Sequence, residues 1–171
     1  MDKEEKGRTC CFTGHRVIPY DDICELAKDL DDKVESMILS GYTHFRTGGA
    51  LGFDTLAALT VLDLQKKYPQ IRLEVCVPCR TQSATYNKRD KFIYDLILHR
   101  ANSVTLISEK HNATCMQKRN RYMVDGSDIC VAFCRKKGGG TAYTVEYATN
   151  NHVTVYNLAH NMKYFPGVGT Y

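Results

Sequence analysis

The chain has 171 residues, 43% of them hydrophobic and 25% charged, with a net charge of +4. That is the size and make-up of one globular domain with a full core. No apolar run is long enough to span a bilayer, and residues 1–6 carry both signs of charge without the apolar stretch of a secretion signal. A soluble, cytoplasmic protein is expected, and the mild positive charge favours an anionic ligand without indicating nucleic acid by itself.

Strand one is expected at residues 9–13, ending in Gly14-His15-Arg16. Asp21 or Asp22 then opens a helix with Ile23, Leu26, Ala27, Leu30, Val34, Met37 and Ile38 at a 3.6-residue period, closed by Gly41. Residues 42–45 form a short β-branched and aromatic strand. Arg46-Thr47-Gly48-Gly49-Ala50-Leu51-Gly52-Phe53-Asp54 follows, with a buried helix behind it. Strand three, residues 71–77, is expected to stop at Pro78. A loop at 80–85 and a helix carrying Phe92, Ile93, Leu96 and Ile97 lead to strand four at 104–107.

Residues 114–124 can be helical. Strand five, residues 129–134, is apolar throughout, as a central parallel strand should be. Gly138-Gly139-Gly140-Thr141 then starts a helix to about Asn150, and residues 153–156 make a sixth strand. Strands alternating with helices call for an α/β, Rossmann-like domain. Its sheet of about six mostly parallel strands should carry helices on both faces. The whole chain, 1–171, reads as one domain in which 1–7 and 158–171 are peripheral. Tyr164, Phe165 and Tyr171 could pack back on it or onto a partner subunit, so a homo-oligomer is possible.

Of eight cysteines, Cys10, Cys11, Cys76, Cys79, Cys130 and Cys134 fall in or beside strands, where free cysteine acts as a small buried hydrophobe. Cys76-Val77-Pro78-Cys79 has zinc or redox spacing but no second ligand pair except the adjacent Cys10-Cys11. No metal or cofactor is expected.

The glycine-rich turns after strands one, two and five all fall at carboxyl ends of strands, where an open α/β sheet places its ligand. A glycine turn feeding a helix offers backbone N–H groups to an anion, phosphate above all. The first turn supplies Thr13, Gly14, His15 and Arg16, the last a guanidinium suited to phosphate. The second supplies Gly48, Gly49, Ala50, Gly52 and Asp54, the aspartate capping the helix or binding a ligand hydroxyl. The third, after Lys136-Lys137, supplies Gly138, Gly139, Gly140 and Thr141, with Thr144 a second candidate for a phosphate oxygen. Arg119 and Asn120 lie in the basic cluster Gln117-Lys118-Arg119-Asn120-Arg121. Glu146, in the last helix, could bind ribose or activate water.

The stretches Cys11-Phe12-Thr13-Gly14-His15-Arg16, Gly48-Gly49-Ala50-Leu51-Gly52-Phe53-Asp54, 119–128 and Gly139-Gly140-Thr141, in this order, resemble the YpsA family of the SLOG superfamily over residues 8–157. The resemblance implies a Rossmann-like sheet that binds nucleotides, nucleotide sugars or nucleic acid. Its DprA-type members carry a related stretch of small residues, glycine and Asp where Gly49 to Asp54 stand here, and they bind single-stranded DNA. Its LOG-type members are phosphoribohydrolases, whose arginine and aspartate match Arg119, four residues before Met123, and Asp128. Those enzymes carry the catalytic glutamate three residues after the threonine of the glycine motif. Here that position is Thr144 and the glutamate is Glu146, a displacement of roughly 200° around a helix.

The favoured expectation is a binder of a nucleotide-derived small molecule, a nucleoside phosphate or an ADP-ribose-like compound, acting as sensor or sequestering protein. In that reading amides near Gly14, Gly48, Gly49, Gly139 and Gly140 hold phosphate and Arg16 and Arg119 neutralise it. One alternative is N-glycoside hydrolysis with Glu146 (or Asp54) and Arg119 as catalytic groups. The other is single-stranded nucleic-acid binding through Lys118, Arg119, Arg121, Lys136 and Lys137.

Overall fold

β-branched and apolar runs become strands within two residues of their expected bounds. The computed structural model describes residues 7–161. Its strands are β1 (Arg8–Gly14), β2 (Tyr42–Thr47), β3 (Arg72–Cys79), β4 (Ser103–Ser108), β5 (Ile129–Phe133) and β6 (Thr154–Asn157). Between them run α1 (Ile23–Leu39), α2 (Phe53–Leu64), α3 (Lys88–Arg100), α4 (Cys115–Asp125) and α5 (Gly139–Asn150). Every strand pair is parallel, in the order β4-β3-β2-β1-β5-β6. The chain steps outward from β1 to β4, then returns to lay β5 against the other side of β1. The order therefore reverses between β1 and β5.

The two faces of the sheet differ in bulk. Helices α1, α2 and α3 cover one face, over Phe12, Phe45, Leu73, Val75 and Phe133. Successive strand residues point to opposite faces, so Cys11, Cys76, Cys130, Ala132 and Cys134 fall on the other, beneath α4 and α5. Small side chains there let these two helices lie close to the strands. Cys10, Cys11, Cys76 and Cys130 are wholly buried.

Three expectations need correction. β3 runs through Pro78 to Cys79. β2 ends opposite Val75, so beyond that point β3 has no strand on that side to receive an N–H from Pro78, and an edge tolerates proline. Residues from 158 on are not all peripheral: Leu158 and Ala159, in a short 3-10 turn (Leu158–Asn161), are buried in the core beside α1. Ile23 follows the helical period yet is 42% exposed, because α1 buries only its stripe from Leu26 to Ile38. Tyr164, Phe165 and Tyr171 lie outside the described residues. Among those described, no helix is long and apolar enough to cross a membrane.

Candidate functional site

The end of β1 is stitched to its neighbours through His15. Its backbone N–H donates to Phe133 O (3.3 Å) and its carbonyl accepts from Phe53 N at the start of α2 (3.1 Å). Its Nε2 accepts from Arg135 N at 2.7 Å, which assigns the neutral, Nδ1-protonated ring. Burial, then Lys136 and Arg135, push its pKa below the usual value, consistent with that form. His15 thus ties the β1 turn to the β5 turn while lining the cavity between them. Arg16 follows it, exposed at the rim.

After β2 the chain folds back on itself. Gly49 and Gly52 adopt positive φ of 71° and 75°, and Asp54 is 6% exposed. The Asp54 carboxylate accepts from Ala50 N at 3.2 Å, and its backbone carbonyl accepts from Thr47 Oγ1 at 3.1 Å. The loop's amides are therefore partly occupied by the protein's own carboxylate. Gln82 Nε2 donates to Gly48 O (2.9 Å), Tyr94 OH to Gln82 Oε1 (3.1 Å) and Tyr86 OH to Gly49 O (3.3 Å). The loop after β3 fastens this turn from behind. Gly48, Gly49 and Gly52 are wall material and do not line the cavity.

Arg119 projects from α4 to the same place and is 5% exposed. Its Nη1 donates to Gly48 O and to Cys76 O, and its Nε donates to Asn120 Oδ1 at 2.7 Å. Burial lowers the Arg119 pKa, with Asp54 acting in the opposite direction. A guanidinium starts so high that it stays charged at any physiological pH. Burial raises Asp54 to about 6, against the pull of Arg119, the Ala50 amide and Arg16.

The third turn has the opposite character. α5 begins at Gly139 with no side-chain cap, and nothing stands within 4 Å of where a Cβ would be at Gly138, Gly139 or Gly140. Here the helix start is bare and open. The unsatisfied N–H groups and the positive end of the helix dipole face outward.

These turns enclose a cavity of about 340 Å³. The structure brings Thr13, Gly14, His15, Arg16, Ala50, Asp54, Arg119, Asn120, Gly138, Gly139, Gly140 and Thr141 to it. It does not bring Thr144, which is buried and donates to Gly140 O within α5 (2.8 Å), or Glu146, which is exposed. Asp54 is the carboxylate that lines the cavity. Asp128 lies at the far end of the sheet, accepting from Thr9 N at 2.8 Å where β1 begins. Phe12, Met116, Met123 and Lys136 also line the space. Sequence alone assigns Met116 and Met123 no role at the site; the signal that could have found them is their place on the same face of α4 as Arg119 and Asn120.

A parallel sheet with a crevice at its switch point, walled by glycine turns and two helix starts, defines a Rossmann-like α/β domain of the kind described for ligand-binding open sheets. The particular family is shown by comparison: the YspA SLOG family model matches residues 20–162, and the chain belongs to that family. It is 31% identical over 122 residues to the uncharacterized SPbeta prophage-derived protein YoqJ of Bacillus subtilis, covering 64% of this chain and 71% of that one. It is 25% identical to a UPF0398 protein of Bacillus pumilus, over 71% of this chain and 67% of that one. Among solved structures it is similar to DNA processing protein A of Helicobacter pylori, described by its single-stranded DNA binding mode (TM-score 0.64, 17% identity, 87% of this chain and 64% of that one). The same protein of Streptococcus pneumoniae aligns at TM-score 0.64 and 18% identity, over 88% of this chain and 50% of that one. This chain spans less than two thirds of either DprA chain, and the likeness is one of fold.

Proposed function

We propose that the protein binds a nucleotide-derived anion, a nucleoside phosphate or an ADP-ribose-like compound, in the cavity at the carboxyl ends of β1 and β5, as a sensor or sequestering protein. The observation that carries the reading is the uncapped start of α5 opening into the cavity at the sheet's reversal. Phosphate belongs at such a helix start, with Arg16 and Lys136 beside it as counter-charges. The Gly48–Gly49 turn then acts as support behind the cavity, since Arg119 already uses Gly48 O and Asp54 the adjoining Ala50 amide.

Small molecules released from purified, denatured protein, identified by mass spectrometry, test this directly. Calorimetry with nucleoside mono- and diphosphates and ADP-ribose is the companion measurement. Saturable binding of one of these, or its co-purification, is expected; neither occurring would overturn the reading.

A second reading is hydrolysis of a nucleotide's N-glycosidic bond, and the buried Asp54 with a pKa of about 6 favours it. A carboxylate titrating near neutrality can take a proton from water. Incubation with nucleoside monophosphates should then release free base, and Asp54→Asn should stop it while Glu146→Gln does not. Single-stranded DNA binding, described for the H. pylori structural neighbour, would instead show as gel retardation that weakens steeply with salt.

A further inference from the structure

Beyond the phosphate end, the cavity holds a donor and an acceptor fixed in opposite senses. Asn120 lines the cavity and is 9% exposed. Its Oδ1 accepts from Arg119 Nε. An arginine Nε–H can only donate, so the amide cannot turn over without setting two donors against each other. Its NH2 has no acceptor among the described residues and is not sealed from open space. Asn120 therefore presents a donor to whatever occupies the cavity.

Asp54 presents the complement. The carboxylate is engaged by Ala50 N and by the Gly48 backbone, while an ionised carboxylate has about four lone-pair positions, leaving acceptor capacity toward the space it lines. The two groups come from α2 and α4, on opposite faces of the sheet, with Arg119 between them in the network: it bonds Asn120 and reaches the Gly48 position that Asp54 also approaches.

We propose that Asp54 and Asn120 together take a vicinal diol, the unsubstituted 2′- and 3′-hydroxyls of a ribose ring. Asp54 accepts from one hydroxyl and the Asn120 amide donates to the other. A hydroxyl both donates and accepts, so a diol satisfies this pair in either order, whereas the edge of a base fits in only one register. The site then selects ribose-bearing ligands over their 2′-deoxy counterparts, because a missing hydroxyl leaves a buried group unpaired. The inference rests on the nucleotide reading above and names the part of the ligand this end of the cavity recognises.

The test compares, by calorimetry on the full chain, ribose 5-phosphate with 2-deoxyribose 5-phosphate, and each nucleoside 5′-monophosphate with its 2′-deoxy form. A preference for ribose of at least about tenfold is expected. Asn120→Asp keeps the shape and the acceptor for Arg119 but turns the donor into an acceptor. It should lower affinity for the ribose compounds at least about tenfold and shrink the preference, with a melting temperature no lower than wild type. Equal affinity for ribose and deoxyribose compounds overturns the diol, and if binding is then selective among bases, the pair reads a base edge instead. Failure of all these compounds, and of the nucleoside diphosphates and ADP-ribose of the calorimetry above, to bind overturns the nucleotide reading and the diol with it. The wild-type comparison stands even if the variant fails to fold.

Discussion

Arg119 and Asp54 reach the rim of the sheet from opposite faces and meet over Gly48. A Cβ at Gly48 would lie 2.4 Å from Arg119 Nη1 and 2.9 Å from Asp54 Oδ2. The absent side chain is what lets a guanidinium and a carboxylate share that position. Gly48→Ala must push one of them aside. A destabilisation of about 1–3 kcal/mol is expected, as for overpacking a filled core, together with loss of ligand affinity. Urea unfolding and calorimetry of the folded variant measure the two effects separately. A variant with unchanged stability and binding would mean that the Arg119–Asp54 arrangement yields freely.

The Asp54 carboxyl gives a pH-dependent signature. Its folded pKa, about 6, stands above its ordinary value of 3.8 because burial disfavours the charge. A group raised on folding lends stability that is complete below the unfolded pKa and is lost as pH rises through the folded one. Asp54→Asn keeps an oxygen for Ala50 N and is neutral at every pH. Variant and wild type should therefore melt together near pH 4. Above pH 6 the variant should be the more stable, by up to about 3 kcal/mol. Thermal melts at pH 4 and pH 7.5 decide it: a wild type more stable than the variant at pH 7.5 would show that attraction to Arg119 outweighs burial.

The alternation of strands and helices was legible because hydrophobic period and glycine punctuation are local signals. Residues 9–13 and 129–134 needed no knowledge of one another to read as strands. Convergence of the turns was legible too, since a parallel sheet puts every strand's carboxyl end on one rim. What the sequence could not show is how the glycine turns divide their work. Gly48-Gly49 and Gly139-Gly140 look alike in one dimension. Whether a turn's polar groups are taken depends on side chains beyond it: Asp54 accepts from Ala50 N, while Arg119 and Gln82 donate to Gly48 O, and the three come from different segments. The burial of Leu158 and Ala159 was hidden for a similar reason: a single turn has no period, and only docking beside α1 gives it an inside.

Glu146 and Arg16 form a contrasting pair for mutation. Glu146 is exposed on α5 and does not line the cavity, so Glu146→Gln should change neither stability nor ligand binding beyond about 0.5 kcal/mol. Arg16 is exposed at the cavity rim, where a counter-charge to phosphate acts through a partly screened field. Arg16→Ala should weaken binding of a phosphorylated ligand about tenfold at low salt, with a smaller effect at high salt, while leaving the melting temperature unchanged. Titrations at two ionic strengths measure this. A penalty independent of salt would assign Arg16 a direct, desolvated contact instead.

Gly140 offers the cleanest separation of binding from folding. It lies in the first turn of α5 without a positive φ, and a Cβ there meets no atom within 4 Å. Gly140→Ala should fold normally, and helix propensity favours alanine by up to about 1 kcal/mol in a helix interior, less in the first turn. The added methyl group nevertheless projects at the bare helix start, into the space an anion must enter to reach the N–H groups. Ligand affinity should therefore fall about tenfold or more, because a donor pushed out of range loses a charge-assisted bond, while thermal stability without ligand stays level or rises. Calorimetry and melting on the same preparation read both numbers. Undiminished affinity would place the phosphate away from α5, and the start of that helix would then be open for some other reason.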